Sequence, residues 1–278
     1  MSDIDHQELV VLEAGRTERH YWRDLWRYRE LLYFLARRDV AVRYKQTVFG
    51  IAWAVIRPLV TMLIFTVVFG RIAKLPSNGA PYSLLVLSGM LPWFFFSTAL
   101  GEASNSLVAN SNLLSKVYFP RLIVPLSTVV VSLLDLAIGV VLLIVLMAVM
   151  GYLPNVRFLL LPVFSLLAFG AALGLGLWFA AMNVKYRDFR FVIPFALTVG
   201  LYVSPIGFSS NVVPERWRFL YSLNPMVGVI EGFRWVVLGD AFAPQSEALV
   251  LSAGLVLLLL ISGVWYFRRT ERSFADII

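Results

Sequence analysis

The sequence has no cysteine and only two histidines, His6 and His20, among its 278 residues. Without cysteine there is neither a disulfide framework nor thiolate chemistry. Both histidines lie in a polar N-terminal stretch at no ligand spacing, which argues against a metal site. Each of the four lysines (Lys45, Lys74, Lys116, Lys185) lacks a preceding glycine. No phosphate-cradling GKS or GKT loop therefore exists, and the chain cannot bind ATP in that way. GxSxG and HExxH are missing as well, so a transmembrane enzyme is unsupported. The first 20 residues hold no apolar core segment, and no cleavable signal peptide is expected.

What is abundant is apolar sequence, at 59% of residues, against about 45–50% in a soluble domain. The apolar residues fall in blocks of about 20, enough to cross ~30 Å of hydrocarbon. Alternating ten-residue segments are absent, which argues against an outer-membrane barrel. The expectation is an all-α integral membrane protein with six spans at about 51–70, 82–100, 122–150, 158–182, 191–208 and 248–267. Ahead of them come an arm over 1–20, expected to be flexible, and an amphipathic, basic stretch over 21–46; residues 47–278 form the six-span domain.

The stretch Leu35–Val60 fixes orientation. Arg37, Arg38, Arg43 and Lys45 precede an apolar run entered through Arg57-Pro58, and basic residues flanking a span are retained on the cytoplasmic side. Seventeen lysines and arginines fall on the face shared with the termini and six on the other. Both termini are accordingly expected in the cytoplasm, and the net charge of +7 reflects loops facing anionic lipid rather than nucleic acid. Pro58 predicts a kink or restart near Arg57.

From Tyr21 to Arg38 the pattern is helical, with Tyr21, Trp22, Leu25, Trp26, Leu32, Tyr33 and Ala36 on one side. Such a helix lies in the headgroup region or docks on protein. Asn224-Pro225 reads as an N-cap with proline at the first position, starting a helix that ends at Gly239. At ~1.5 Å per residue it is too short to span. It is expected to be re-entrant or to lie flat outside, with Glu231 and Arg234 able to pair at i and i+3. Gly170, Gly174 and Gly176 in the fourth span predict close helix contact.

Ionisable groups inside the spans are few. Asp135 is the clear acid, to which a functional role and a structural hydrogen bond both apply. Arg57 either lines a water-filled entrance or snorkels to the surface. The rings Phe65, Phe69, Trp93, Phe94, Phe95, Phe96 and Tyr202 suit a glycan-stacking conduit or ordinary packing. The loop around Asn112, Leu113, Leu114, Lys116, Val117 and Tyr118 reads as a short helix, with Pro120 as its stop, that docks into a partner or lies on lipid.

Four segments, taken in order, resemble the permease of type-2 ABC exporters for polysaccharides. They are RRDVAVRYKQTVFGIAWAVIRPL (Arg37–Leu59), NSNLLSKVYFPRLIVPLS (Asn110–Ser127), NVKYRDF (Asn183–Phe189) and SLNPMVGVIEGFRW (Ser222–Trp235). The similarity is closest to the O-antigen branch, with capsule and teichoic acid exporters as relatives. The resemblance implies a homodimer in the bacterial inner membrane with two copies of a separate ATPase subunit, which binds the ATP and magnesium. It implies an interface helix carrying Trp22, Leu25, Trp26, Arg37 and Arg38. It also implies a coupling helix at Asn112–Tyr118 and a second ATPase contact at Lys185, Tyr186, Arg187 and Asp188. A periplasmic gate would include Pro214, Trp217, Asn224, Pro225, Glu231 and Arg234, and the first, second and fifth spans would line the conduit for a lipid-linked polysaccharide. Three other classes remain: a small-lipid or drug exporter of the same fold, an ATP-independent secondary transporter, and a glycosyltransferase, for which the acids Glu102, Asp188 and Glu215 are isolated.

Overall fold

The computed structural model describes residues 21–45, 52–271 and 274. The expected arm over 1–20 and the end of the basic stretch near Gln46 and Gly50 lie outside the described residues. Every regular element described is helical. In chain order these are α1 (Tyr21–Arg27), α2 (Arg29–Lys45), α3 (Ala52–Phe65), α4 (Tyr82–Ala109), α5 (Ser111–Lys116) and α6 (Ile123–Val149). There follow α7 (Leu161–Lys185), α8 (Phe189–Val203), α9 (Glu215–Ser222), α10 (Pro225–Leu238) and α11 (Ser246–Thr270).

Among the described residues, five helices are long and apolar enough to cross a membrane: Ala52–Ile72, Tyr82–Ala109, Ile123–Val149, Val156–Lys185 and Ser246–Thr270. Over the expected fifth span, 191–208, the structure has the 15-residue apolar α8 followed by irregular chain. The reason is local. Pro205 disfavours helical backbone in the residue before it, and Ser204 is extended at φ −75°, ψ 152°.

α4 is the hub. It packs on α3, α6, α7, α8 and α10, and Leu84 to Met90 are buried on every side. α7 lies between α4 and α11. The expected glycine contacts are present: Gly174 sits against the backbone of Leu259 and Leu260, and Gly176 against Ala103. Tight approach of this kind replaces the hydrophobic effect as a driving force where lipid surrounds the helices.

Two expectations change. Pro58 lies within an unbroken α3, where the Thr61 hydroxyl donates to the Arg57 carbonyl at 2.9 Å. The irregularity comes about two turns later, as a π-helical run over Thr66–Ile72. The N-terminal amphipathic helix is interrupted at Tyr28. α1 can then meet the end of α11, where Tyr21 donates to Glu271 Oε2 at 3.1 Å, while α2 turns along α6. The apolar face divides accordingly. Leu25, Leu32 and Leu35 turn inward, whereas Trp22, Trp26 and Tyr33 are exposed.

Candidate functional site: the two ends of the bundle

Hydrogen bonds sort the loops into two ends. At the first, Asn183 near the end of α7 donates to the Ser104 carbonyl and to Asn105 Oδ1, each at 3.0 Å, in the last turns of α4. Arg38 of α2 donates to Asn110 Oδ1 at 2.9 Å. Asn110 in turn donates to the Ser106 carbonyl at 2.8 Å and precedes α5. Arg121 donates to the Glu271 carbonyl beyond α11. One end therefore gathers α1, α5, the 185–188 turn and the end of α11.

Within this end, the sequence-derived coupling residues separate by burial. Leu113 and Leu114 are half-buried and pack on the core, whereas Asn112, Lys116, Val117 and Tyr118 are exposed. Lys185, Tyr186, Arg187 and Asp188 are exposed too, beside the buried Asn183. Two short exposed segments thus share one end of the bundle, each beside a polar network that ties it to the last turns of α4.

The opposite end is built around α10. Asn224 accepts from the Met226 amide at 3.0 Å and Pro225 follows it, as the sequence implies. Gly239 ends the helix at φ 89°, a conformation glycine adopts freely. Arg234 is fully buried and does not form the expected ion pair with Glu231. Its guanidinium donates instead to the carbonyls of Leu85 (3.2 Å), Phe208 (2.7 Å) and Ile206 (2.6 Å). The physical cause is the break after α8. Carbonyls released from a helix in an apolar setting need donors, and five guanidinium N–H groups supply them. Asn224 reinforces the site by donating to Ser204 Oγ at 3.0 Å. Nearby, Arg157 donates to Asp240 at 2.7 Å, which holds that carboxyl below its ordinary pKa. Pro214 and Trp217 are exposed at and just after the start of α9.

The aromatic candidates lie between these ends and do not form one exposed lining. Phe65, Trp93, Phe95 and Phe96 are buried, Phe69 and Phe94 are half-buried, and Tyr202 is exposed. Arg57 is exposed on α3, with its guanidinium 4.8 Å from the Phe94 ring centre. On α8, Phe191, Phe195 and Tyr202 are exposed.

Asp135, whose role the sequence left open, is an anchor for α2. It lies 12 residues into α6, about 18 Å from its start at ~1.5 Å per residue. Arg43 reaches it at 2.6 Å, the Tyr44 hydroxyl donates to its other oxygen, and Arg43 also lies 3.4 Å from Glu102. Nothing local in the sequence marks this cluster, because its members come from α2, α4 and α6.

Comparison with known proteins finds relatives along nearly the whole chain. The O-antigen export system permease protein RfbA of Myxococcus xanthus is 30% identical over 258 residues, covering 92% of this chain and 98% of the relative. A protein of the same name from Klebsiella pneumoniae is 25% identical over 250 residues, 90% and 95% of the two chains. The polysialic acid transport protein KpsM of Escherichia coli is 25% identical over 241 residues, 85% and 92%. Residues 30–238 match the sequence model of the ABC-2 type transporters. The chain is a multi-pass membrane protein and belongs to the ABC-2 type transporter family.

Proposed function

We propose that the chain is the channel-forming subunit of an ATP-driven exporter that carries a lipid-linked polysaccharide, O-antigen foremost, from cytoplasm to periplasm across the inner membrane. The observation that carries this reading is the pairing of two exposed segments, Asn112–Tyr118 and Lys185–Asp188, on one network-anchored end of the bundle. A chain without a P-loop needs an external motor, and two rigidly held segments are a suitable place for it to push. Sequence likeness to permeases of O-antigen export supports the substrate class. A capsule polysaccharide is the second reading, favoured by the likeness to the polysialic acid transport protein.

The working unit is a homodimer with two ATPase subunits, both termini cytoplasmic. α8 supplies a sixth crossing by joining the irregular 204–208 segment. Its start adjoins the 185–188 turn, and its continuation reaches Leu85 near the start of α4 through Arg234. The exposed apolar residues of α3 and α8, among them Val60, Leu63, Phe191 and Phe195, support dimer contacts and conduit walls there. Arg57, Phe69, Phe94 and Tyr202 are the conduit residues that remain at least partly accessible within one subunit.

A glycan longer than the bilayer is thick cannot be enclosed in one midplane pocket. The conduit must be continuous and the chain moved in steps. ATP closes the ATPase pair, the cytoplasmic segments move as levers, and the aromatic faces hold the sugar chain without fixing its register. α9 and α10 close the periplasmic mouth between steps. Deleting the gene from a glycan-producing cell is expected to leave finished, lipid-attached glycan on the cytoplasmic face. Undiminished surface glycan would refute the reading.

A further inference from the structure

Among the described residues, a large cavity lies outside the expected conduit. It is a cleft of about 1590 Å³ at the cytoplasmic end, bounded by α1, the 114–121 strap and the last turns of α11. Its composition is two-faced. One wall is the apolar flank of α11, where Ile261 and Trp265 are 69% and 57% exposed. The other carries five cations, Arg27, Lys116, Arg121, Arg268 and Arg269, against two acids, Asp24 and Glu271. Five cations against two acids leave a formal balance of +3 on this lining. Tyr21 donates to the Glu271 carboxylate, and the Glu271 carbonyl takes Arg121. Among the described residues, Lys116, Arg268 and Arg269 form no ion pair and no hydrogen bond. Arg268 is held over the Tyr21 ring at 4.5 Å, and Arg269 over Trp265 at 5.4 Å.

Aromatic rings and arginines at a helix end mark the headgroup level of the membrane. Basic pockets between spans on the cytoplasmic side suit anionic headgroups. The apolar flank runs on from the cleft along the outward face of α11, through the exposed Leu257 and Leu258. An occupant must therefore carry negative charge at one end and hydrocarbon at the other. We propose that this cleft binds an anionic phospholipid of the cytoplasmic leaflet. Its phosphate sits among Lys116, Arg268 and Arg269, and its acyl chain lies along Ile261 and Trp265. The location separates this lipid from the transported one. α11 packs chiefly on α7 and α10, whereas Arg57, Phe94 and Tyr202 lie on α3, α4 and α8. A bound phospholipid would fasten the strap that carries Tyr118 to the end of α11, completing an anchorage that Arg121 and Glu271 begin.

The test is native mass spectrometry of the full chain, with its ATPase partner, released from nanodiscs holding equal phosphatidylglycerol and phosphatidylcholine. The wild type is expected to retain phosphatidylglycerol over phosphatidylcholine by about tenfold or more, the scale of a few cations near a charged headgroup. Arg268→Gln combined with Arg269→Gln should abolish that preference. The paired Arg→Lys variant, which keeps the charge, should retain it. Arg29→Gln with Arg190→Gln, removing the same charge from exposed positions of the same end outside the cleft, should also retain it. Equal retention of the two lipids by the wild type would overturn the proposal. So would loss of preference in the Arg29/Arg190 control as large as in the cleft variant. Preference appearing only after removal of residues 2–20 would show that the chain's own arm fills the cleft, and would overturn it too. Displacement of phosphatidylglycerol by an equimolar polyprenyl diphosphate would assign the cleft to the carrier lipid instead.

Discussion

Gly89 lies beneath Arg234. A Cβ at position 89 would stand 2.9 Å from Arg234 Nη2, so the buried guanidinium fits only because α4 has no side chain there. The pair explains how the chain breaks α8 inside an apolar assembly without leaving the carbonyls of Ile206 and Phe208 unmet.

Replacing Arg234 with methionine should preserve much of the packing volume but strand two acceptors, the carbonyls of Ile206 and Phe208, since that of Leu85 keeps the Ser88 hydroxyl. Each buried unsatisfied group costs about 1–3 kcal/mol, so a loss of about 2 kcal/mol or more is expected. The thermal midpoint of the purified complex should fall by several degrees. Gly89→Val should act in the same direction by displacing the guanidinium. An unchanged midpoint in both variants would show that Arg234 does not hold the 204–208 segment.

The Arg43–Asp135 pair joins α2 to α6, and each side chain keeps about a quarter of its surface exposed. Either single replacement, Arg43→Ala or Asp135→Ala, should destabilise the protein by about 1–3 kcal/mol. The double variant should cost less than the sum, because contacting residues show coupling of about 0.5–3 kcal/mol. A thermodynamic cycle on thermal or denaturant unfolding measures it. Strict additivity would mean that the contact carries no energy.

The strap between α4 and α6 yields a discriminating pair of variants. Tyr118 is 55% exposed, while Leu114 is half-buried against the core. Tyr118→Asp should weaken binding of the ATPase partner by at least about tenfold, a typical interface hot-spot effect, while leaving stability unchanged. Leu114→Asp should lower stability as well, because it buries a charge. Pull-down affinity and thermal midpoint, measured on both, separate docking from folding.

Arg157 and Asp240 give a pH signature at the opposite end. The hydrogen bond from Arg157 holds the Asp240 carboxyl below its ordinary range. Its contribution is complete above the ordinary carboxylate pKa of about 4 and fades as pH falls through the lowered value. The midpoint difference between wild type and Asp240→Asn should therefore stay constant from neutral pH to about pH 5, then close below about pH 4. Since Asp240 is 75% exposed, the difference should be small.

Features set by neighbouring residues were legible in the sequence. Asn224-Pro225 and Gly239 bound α10 as expected, because capping depends on the residues beside it. The glycines of α7 announced tight packing for the same reason. Pro205 also carried the signal for the end of α8, although the run of apolar residues through Phe208 masks it. What remained hidden joins distant positions. Asp135 and Arg43 are 92 residues apart, and Arg234 and Leu85 are 149 apart. A helical pattern says which face is apolar but not which neighbour supplies the counter-charge. That is why Asp135 read equally as a functional or a structural acid. The aromatic run Trp93–Phe96 had the same difficulty, since ring identity does not reveal that α4 is buried on most sides.

The central claim is tested most directly by placing the purified permease with its ATPase partner in sealed vesicles loaded on one side with lipid-linked glycan. Appearance of the glycan on the other side is then followed with and without ATP. The expected result is translocation that requires ATP, requires the partner, and is lost with Tyr118→Asp. Translocation without ATP or partner, or an assembled complex that hydrolyses ATP yet moves no glycan, would contradict it.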